Sequence, residues 1–175
     1  MTAPPKVIKY CPRCGSANFV PQDGKSFKCK DCKFHFFVNS AAAVAAIIQN
    51  DKGEILLSVR GIEPNIGMLD LPGGFVDPGE RAESAVCREI MEELNLKVDE
   101  IRFLASFPNE YVYSGYTVYT CDMGFVCKVS DFSQMRCMDD ISGYLFVAPD
   151  KVEYDRICSN SIKQILKFYI EDASM

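Results

Sequence analysis

The sequence contains no tryptophan and one histidine, His35, in 175 residues. A single histidine excludes His-rich metal centres, and any His-dependent triad would have to rest on that residue alone. Positive charge is not in excess either: 19 Lys and Arg stand against 24 Asp and Glu, a net charge of −5. That acidic balance argues against broad electrostatic binding to nucleic acid, which needs a basic face. Long apolar runs are missing. No window approaches about 18 uninterrupted apolar residues, and Met1-Thr2-Ala3-Pro4-Pro5-Lys6 lacks the apolar core of a secretory signal. A cytoplasmic protein without a membrane partner is therefore expected. The remainder is ordinary for a folded chain, with 48% hydrophobic and 25% charged residues. Its length suits one compact domain with a small appendage.

Cysteine, by contrast, is abundant: there are nine, an odd number that cannot pair fully within one chain. Under reducing conditions such residues point to metal binding or reactivity rather than to disulfides. Four of them form two C-x2-C knuckles, Cys11-Pro12-Arg13-Cys14 and Cys29-Lys30-Asp31-Cys32, with 14 residues between. Each tight turn aims two sulfurs at one point, as tetrahedral thiolate coordination of Zn²⁺ requires. Between the knuckles, residues 17–20 and 26–28 suit a short hairpin across Pro21-Gln22-Asp23-Gly24. The spacing thus predicts a zinc ribbon, taken as domain 1–38. Four protein ligands leave no open position for water, so the zinc is read as structural, stabilising a segment too small for a core of its own. His35 lies just beyond this set. The other five, Cys87, Cys121, Cys127, Cys137 and Cys158, show no ligand spacing and are expected to be small buried or half-buried apolar residues.

Beyond the ribbon, residues 41–48 are too short for a helix and precede the turn Asn50-Asp51-Lys52-Gly53, which favours a buried strand paired with residues 55–60. A loop around Pro64 and Gly67, a Gly-rich turn at Leu71-Pro72-Gly73-Gly74 and a helix near 81–94 follow. Further strands are expected near 101–107, 116–129 and 144–147. A final helix near 159–170 is expected from the spacing of Ile162, Ile165, Leu166 and Tyr169. The order predicts an α/β (α+β) domain, 39–175, with a mixed sheet between helices.

The helix near 81–94 carries the chemistry. At about 100° per residue with Ala82 at zero, Glu92, Glu89 and Glu93 fall near 280°, 340° and 20°. One face thus starts with the small residues Ala82, Ala85 and Val86 and ends in three acids. A solvated acidic face would lie opposite the apolar one and carry Lys at i+4 for support. Here only Arg88 is present, and the acids crowd the helix C-terminus, where the macrodipole disfavours anions. Divalent cations would neutralise such a cluster, and Mg²⁺ takes carboxylate oxygens beside substrate phosphates.

Gly74, Glu80 and the run Arg88-Glu89-Ile90-Met91-Glu92-Glu93-Leu94-Asn95-Leu96 resemble the Nudix box, Gly-x5-Glu-x7-Arg-Glu-(aliphatic)-x-Glu-Glu-x-Gly-(aliphatic). Eight of nine specified positions match; the exception is Asn95 in place of the last glycine. Asn is the next-best residue for the left-handed exit that glycine provides. The resemblance implies a Nudix-type sandwich that hydrolyses nucleoside diphosphates linked to another moiety, with Mg²⁺ or Mn²⁺. It implies Glu89, Glu92 and Glu93 as metal ligands, joined by the backbone carbonyl of Gly73 or Gly74. Arg88 would orient Glu89, and Glu80 would steady the loop–helix–loop. The base would be Glu89 or an acid outside the helix, for which Asp139 and Asp140 stand in a suitable place.

A zinc ribbon before such a domain resembles the NADH pyrophosphatases and their relatives, where Ser-Gln-Pro-Trp after the box marks NADH preference. This chain has Ser106-Phe107-Pro108-Asn109 there, so a broader range that includes ADP-ribose and dinucleotides stays open. Tyr111, Tyr113 and Tyr116 are candidate stacking residues for a base. The competing function is a non-catalytic nucleotide-sensing or interaction module, in which Lys25, Lys28, Lys30 and Lys33 of the ribbon contact a partner. Retention of all four glutamates of the box favours the hydrolase. A small-molecule nucleotide is the expected partner, and a homodimer is left open.

Overall fold

The computed structural model describes residues 2–172. Residues 1 and 173–175, at the outer ends of the two expected domains, lie outside the described residues. Two compact units make up the chain: one runs to Ala41 and includes Glu110–Tyr119, and the other holds Ala42–Asn109 and the residues from Thr120 onward.

In the first unit, a short helix α1 (Pro4–Val7) precedes three strands, β1 (Phe19–Pro21), β2 (Ser26–Cys29) and β3 (His35–Phe37). They form an antiparallel sheet in the order β1-β2-β3. Phe19, Phe27, Cys11 and Cys29 make its buried core, with the rings of Phe19 and Phe27 stacked at 5.2 Å. The hairpin of β1 and β2 starts two residues later than the sequence suggests. The third strand leaves no sequence signal, because its outer residues His35 and Phe37 are exposed. The second knuckle produces it: Cys29 N–H donates to the Phe34 carbonyl at 2.8 Å, and Lys33 reverses the chain at φ 63°. Thr2 closes the unit by bonding Thr117 through both backbone and hydroxyl, at 2.8 and 2.7 Å.

The second unit is built on β4 (Ala41–Ile48), β5 (Ile55–Arg60), β6 (Leu69–Asp70), β7 (Gly73–Phe75), helix α2 (Ala82–Leu94), β8 (Glu100–Tyr113), β9 (Tyr116–Lys128), β10 (Ile141–Val147) and helix α3 (Asn160–Asp172), with Ala41, the end of β8 from Glu110 and the start of β9 to Tyr119 counted in the first unit. Its strands form two sheets, ordered β10-β5-β6 and β7-β4-β9-β8. Alternation along β4 explains the sandwich. Val44, Ala46 and Ile48 pack with Ala85, Val86, Ile90 and Leu94 of α2. Ala45 and Ile47 pack with Ile162, Ile165, Leu166 and Tyr169 of α3. Both faces of β4 are therefore buried, which is why it reads as an unbroken apolar run rather than an alternating one. Each fully buried Ile or Leu there contributes about 1.5–3 kcal/mol. β8 is longer than expected, 14 residues, and turns into β9 at Ser114-Gly115, both at positive φ. Among the other cysteines, Cys127 is buried and Cys87, Cys137 and Cys158 are half-buried. Cys121 corrects the expectation: it is exposed, because it falls on the outward side of β9 between buried Thr120 and Asp122.

Candidate active site and thiolate cluster

Two places gather ligand-type side chains, one in each unit. The knuckles bring the sulfurs of Cys11, Cys14, Cys29 and Cys32 within 4.8 Å of one another. Cys11–Cys32 and Cys14–Cys29 are each 3.7 Å apart. Backbone N–H groups of the turn aim at the sulfurs, and that of Cys32 above all draws the Cys29 thiol down to about 7. Ser16 and Asn18 hold the Asp31 carboxylate, which steadies the second knuckle from outside. His35 takes no part; its ring lies 4.3 Å from that of Phe37 in β3.

The second place lies along α2. Arg88 is its hub: Nε and Nη2 form a two-pronged pair with Glu80 at 3.0 and 2.9 Å. Nη1 reaches Glu89 and Glu92 at 2.8 and 2.9 Å, and Nη2 also donates to the Phe75 carbonyl at 3.0 Å. Glu80 in turn accepts the Asp77 N–H at 3.0 Å, so the loop before the helix is tied to the helix itself. The Arg88 bond holds the Glu80 carboxyl below its ordinary range.

Glu93 points the other way, into the protein. It is 7% exposed and accepts the Gly73 N–H at 3.1 Å. Burial, and then the nearby charges of Glu89, Asp70 and Asp140, push its carboxyl up to about 8. Burial also raises Glu89, against the pull of Arg88 and with the push of Glu92 and Asp139. The turn facing these acids needs glycine at 73 and brings the backbone of Gly74 close under Glu89. At Gly73, φ is +150° and a Cβ would meet the Val44 carbonyl oxygen at 2.1 Å. At Gly74, a Cβ would fall 2.6 Å from the Glu89 carboxylate. Pairing of Val44 with Gly74 and of Ala45 with Gly73 fixes this turn to the core strand β4.

Asn95 ends the helix at φ 54°, the left-handed exit, and its side-chain amide donates to the Gln134 carbonyl at 2.9 Å. Arg136 N–H and Met138 N–H donate to the Leu94 and Glu93 carbonyls at 3.1 and 2.8 Å. These bonds pin residues 134–138 to the helix end, so that Asp139 and Asp140 bear electrostatically on Glu89 and Glu93. Among the described residues, however, only the four thiols bring three or more ligand atoms within 4.8 Å of one another. Glu89 and Glu92 are drawn to Arg88 while Glu93 turns to Gly73.

Asp70 is the participant that sequence reasoning missed. It pairs with Arg60 at 2.9 Å, accepts the Leu71 N–H at 2.9 Å, and is raised by burial. Its only sequence trace is an acid just before the Gly-rich turn, and its partner stands ten residues away on the neighbouring strand. Tyr111 and Tyr113 lie on β8 with parallel rings 6.2 Å apart, and Tyr116 opens β9. All three belong to the unit that holds the thiolate cluster, whereas the acids of α2 belong to the other.

The fold and the box-bearing helix define the class: residues 39–168 match the family model of the NUDIX domain, and the chain belongs to the Nudix hydrolase family. Curated relatives include the NAD-capped RNA hydrolase NudC of Vibrio atlanticus (strain LGP32), 24% identical over 170 residues, 96% of this chain and 62% of that protein. The protein of the same name from Shigella dysenteriae serotype 1 is 32% identical over 114 residues, 65% of this chain and 44% of its own length. The chain thus spans about half the length of these relatives. Among solved structures, a NUDIX hydrolase from Nitrosomonas europaea superposes with TM-score 0.73 at 24% identity, covering 95% of this chain and 93% of that one. That likeness is one of fold. No helix among the described residues is long and apolar enough to cross a membrane.

Proposed function

We propose that this chain hydrolyses the pyrophosphate bond of a nucleoside diphosphate joined to a second moiety, of the NADH, ADP-ribose or dinucleotide type, with Mg²⁺ or Mn²⁺. The reading rests on the acid Glu93, buried beside the Gly73-Gly74 turn and pushed up to about 8 first by that burial and then by its acidic neighbours. A cluster of carboxyls held against mutual repulsion fits a hard divalent cation. Its donors are all oxygen, and the turn leaves no room for a Cβ between backbone and Glu89. Glu89, Glu92, Glu93 and the Gly74 carbonyl would hold the cation. When bound, it polarises the pyrophosphate and lowers the pKa of water.

The chain's own residues do the rest. Arg88, anchored by Glu80, orients Glu89. Water attacks phosphorus, the bond from phosphorus to the bridging oxygen breaks, and Glu89, Asp139 or Asp140 takes the proton from the water. Tyr111, Tyr113 and Tyr116 are the proposed stacking residues for a base. The thiolate cluster matches Zn²⁺ in donor type and number, and four protein ligands make the metal structural. Domain limits of 1–38 for the ribbon and 39–175 for the hydrolase, and a cytoplasmic setting, complete the proposal.

The test is a panel of NADH, ADP-ribose and dinucleoside polyphosphates with Mg²⁺ or Mn²⁺, with products identified by mass. Cleavage between the phosphates, lost in Glu93→Gln, is expected. Equal rates for Glu93→Gln and the parent would remove the role given to this helix.

A further inference from the structure

The acidic net charge conceals a division. Residues 1–41 carry seven Lys and Arg against two Asp and no Glu, while residues 42–175 carry 12 against 22. The positive segment is the one folded around the thiolate cluster, and its sheet has an outer face unlike its inner one. Inside are Phe19, Phe27 and Phe36 with Cys29. Outside, cross-strand pairing sets Val20, Lys28 and His35 in one row and Phe37 opposite Ser26 in the next.

Lys28 and His35 are exposed, and Phe37 is 50% exposed. The imidazole and phenyl rings of His35 and Phe37 lie 4.3 Å apart on this face. Exposed Lys30 and Lys33 flank it at the second knuckle and Lys25 at the hairpin turn. The segment's two acids are held in local hydrogen bonds, Asp31 with Ser16 and Asn18, and Asp23 with Ser26 and the Lys25 N–H, and they offset part of the charge of Lys33 and Lys25.

We propose that the outer face of β2 and β3, formed by Lys28, His35 and Phe37 with Lys25, Lys30 and Lys33 around it, binds a single-stranded polynucleotide. Lysines alone would suit any anion. Flat rings on the edge strand of a basic sheet suit unstacked bases, while the neighbouring ammonium groups take the phosphates. A lipid headgroup or an acidic peptide makes no use of the paired rings. A duplex keeps its bases stacked away from them. The local charge also answers the argument from net charge: a polynucleotide meets a segment at +5, not a molecule at −5.

The experiment uses the full zinc-loaded chain and a fluorescein-labelled oligouridine of about 12 nucleotides, within the span of small single-strand-binding modules. Anisotropy is followed from about 50 to 200 mM salt. Saturable binding that weakens with salt is expected, with a duplex of the same length bound more weakly. Lys28→Ala should reduce the slope of log affinity against log salt by about one. Phe37→Ala should weaken binding about fivefold or more with the slope unchanged, and Phe37→Tyr should restore it.

Zinc content per chain separates a lost contact from a lost fold, and if Phe37→Ala sheds zinc the exposed Lys28 decides alone. The proposal is overturned by absence of saturable binding at the lowest salt, by equal affinity of Lys28→Ala and the parent, or by equal binding of the duplex. Binding to phosphatidylserine vesicles without binding to oligouridine would overturn it too. None of these readouts depends on hydrolysis.

Discussion

The thiolate cluster and the acids of α2, four thiols and three carboxyls, both stand on short sequence motifs, yet they are organised oppositely. In the knuckles, each sulfur stands one bond from Cβ, so the backbone turn almost alone decides where it points. All four converge within 4.8 Å. On α2, each carboxylate sits at the end of a flexible side chain, and a cation already present in the fold, Arg88, takes two of them. Burial and a backbone N–H take the third. Soft ligands on short stems make a rigid clamp, whereas hard ligands on long stems make a site balanced between repulsion and an internal counter-charge.

The largest effect that would test this contrast is loss of a clamp residue. Cys29→Ser is expected to lower zinc from one per chain to well below one, measured on the purified protein, and to open residues 1–41 to proteolysis. Retention of full zinc would show that the clamp does not need all four stems.

Next comes the pH dependence of Glu93. Its folded pKa of about 8 lies above the ordinary value of 4.5. Between these two pH values the unfolded chain has released its proton and the folded chain keeps it, so folding stability falls as pH rises through that window. With a chelator present, the parent is therefore expected to be less stable at pH 8 than at pH 5. Glu93→Gln should remove most of that dependence, by up to roughly 4 kcal/mol, as read from urea unfolding at the two pH values. An unchanged dependence would place the repulsion elsewhere.

In turnover, Glu93→Gln is expected to lose at least about 100-fold in kcat, beyond the usual effect of removing a group that supports a ligand. Gly74→Ala should cost less, about tenfold in kcat, because the methyl group displaces only the end of Glu89. Its melting temperature should fall little. A Gly74→Ala protein as active as the parent would show that Glu89 has more freedom than its bond to Arg88 implies. The smallest effect is expected at Glu92, which is 48% exposed at its side chain: Glu92→Gln should leave the melting temperature within about 1 °C, in line with exposed pairs generally.

Much of this was legible beforehand, and for identifiable reasons. β4 could be read as a strand because a strand buried on both faces is a short unbroken apolar run between turn signals. Its expected pairing with residues 55–60 is wrong, however: β4 and β5 lie in different sheets, joined at their ends by the bridge of Gln49 with Ile55. The exit of α2 could be read because Asn95 tolerates φ 54°. The third ribbon strand could not, since its outer residues are exposed and its pairing depends on the knuckle before it. Asp70 was missed for a related reason: its partner Arg60 is brought to it by the pairing of β5 with β6. Cys121 shows the same limit in reverse, because facing outward on β9 is a matter of register rather than residue type.

The sequence by itself determined which residue types stand at fixed short separations: two thiol pairs on tight turns, and an arginine with three glutamates within two turns of helix. Covalent spacing and helical period suffice for that. Tertiary structure alone decided what those groups feel. It turned Glu93 inward onto Gly73, set Asp70 and Asp140 against it, and gave Arg88 the task of holding Glu80, Glu89 and Glu92 together. It also set Lys28, His35 and Phe37 on one face of a small sheet. Electrostatic environment depends on distances across the fold, and those distances exist only once the chain has packed.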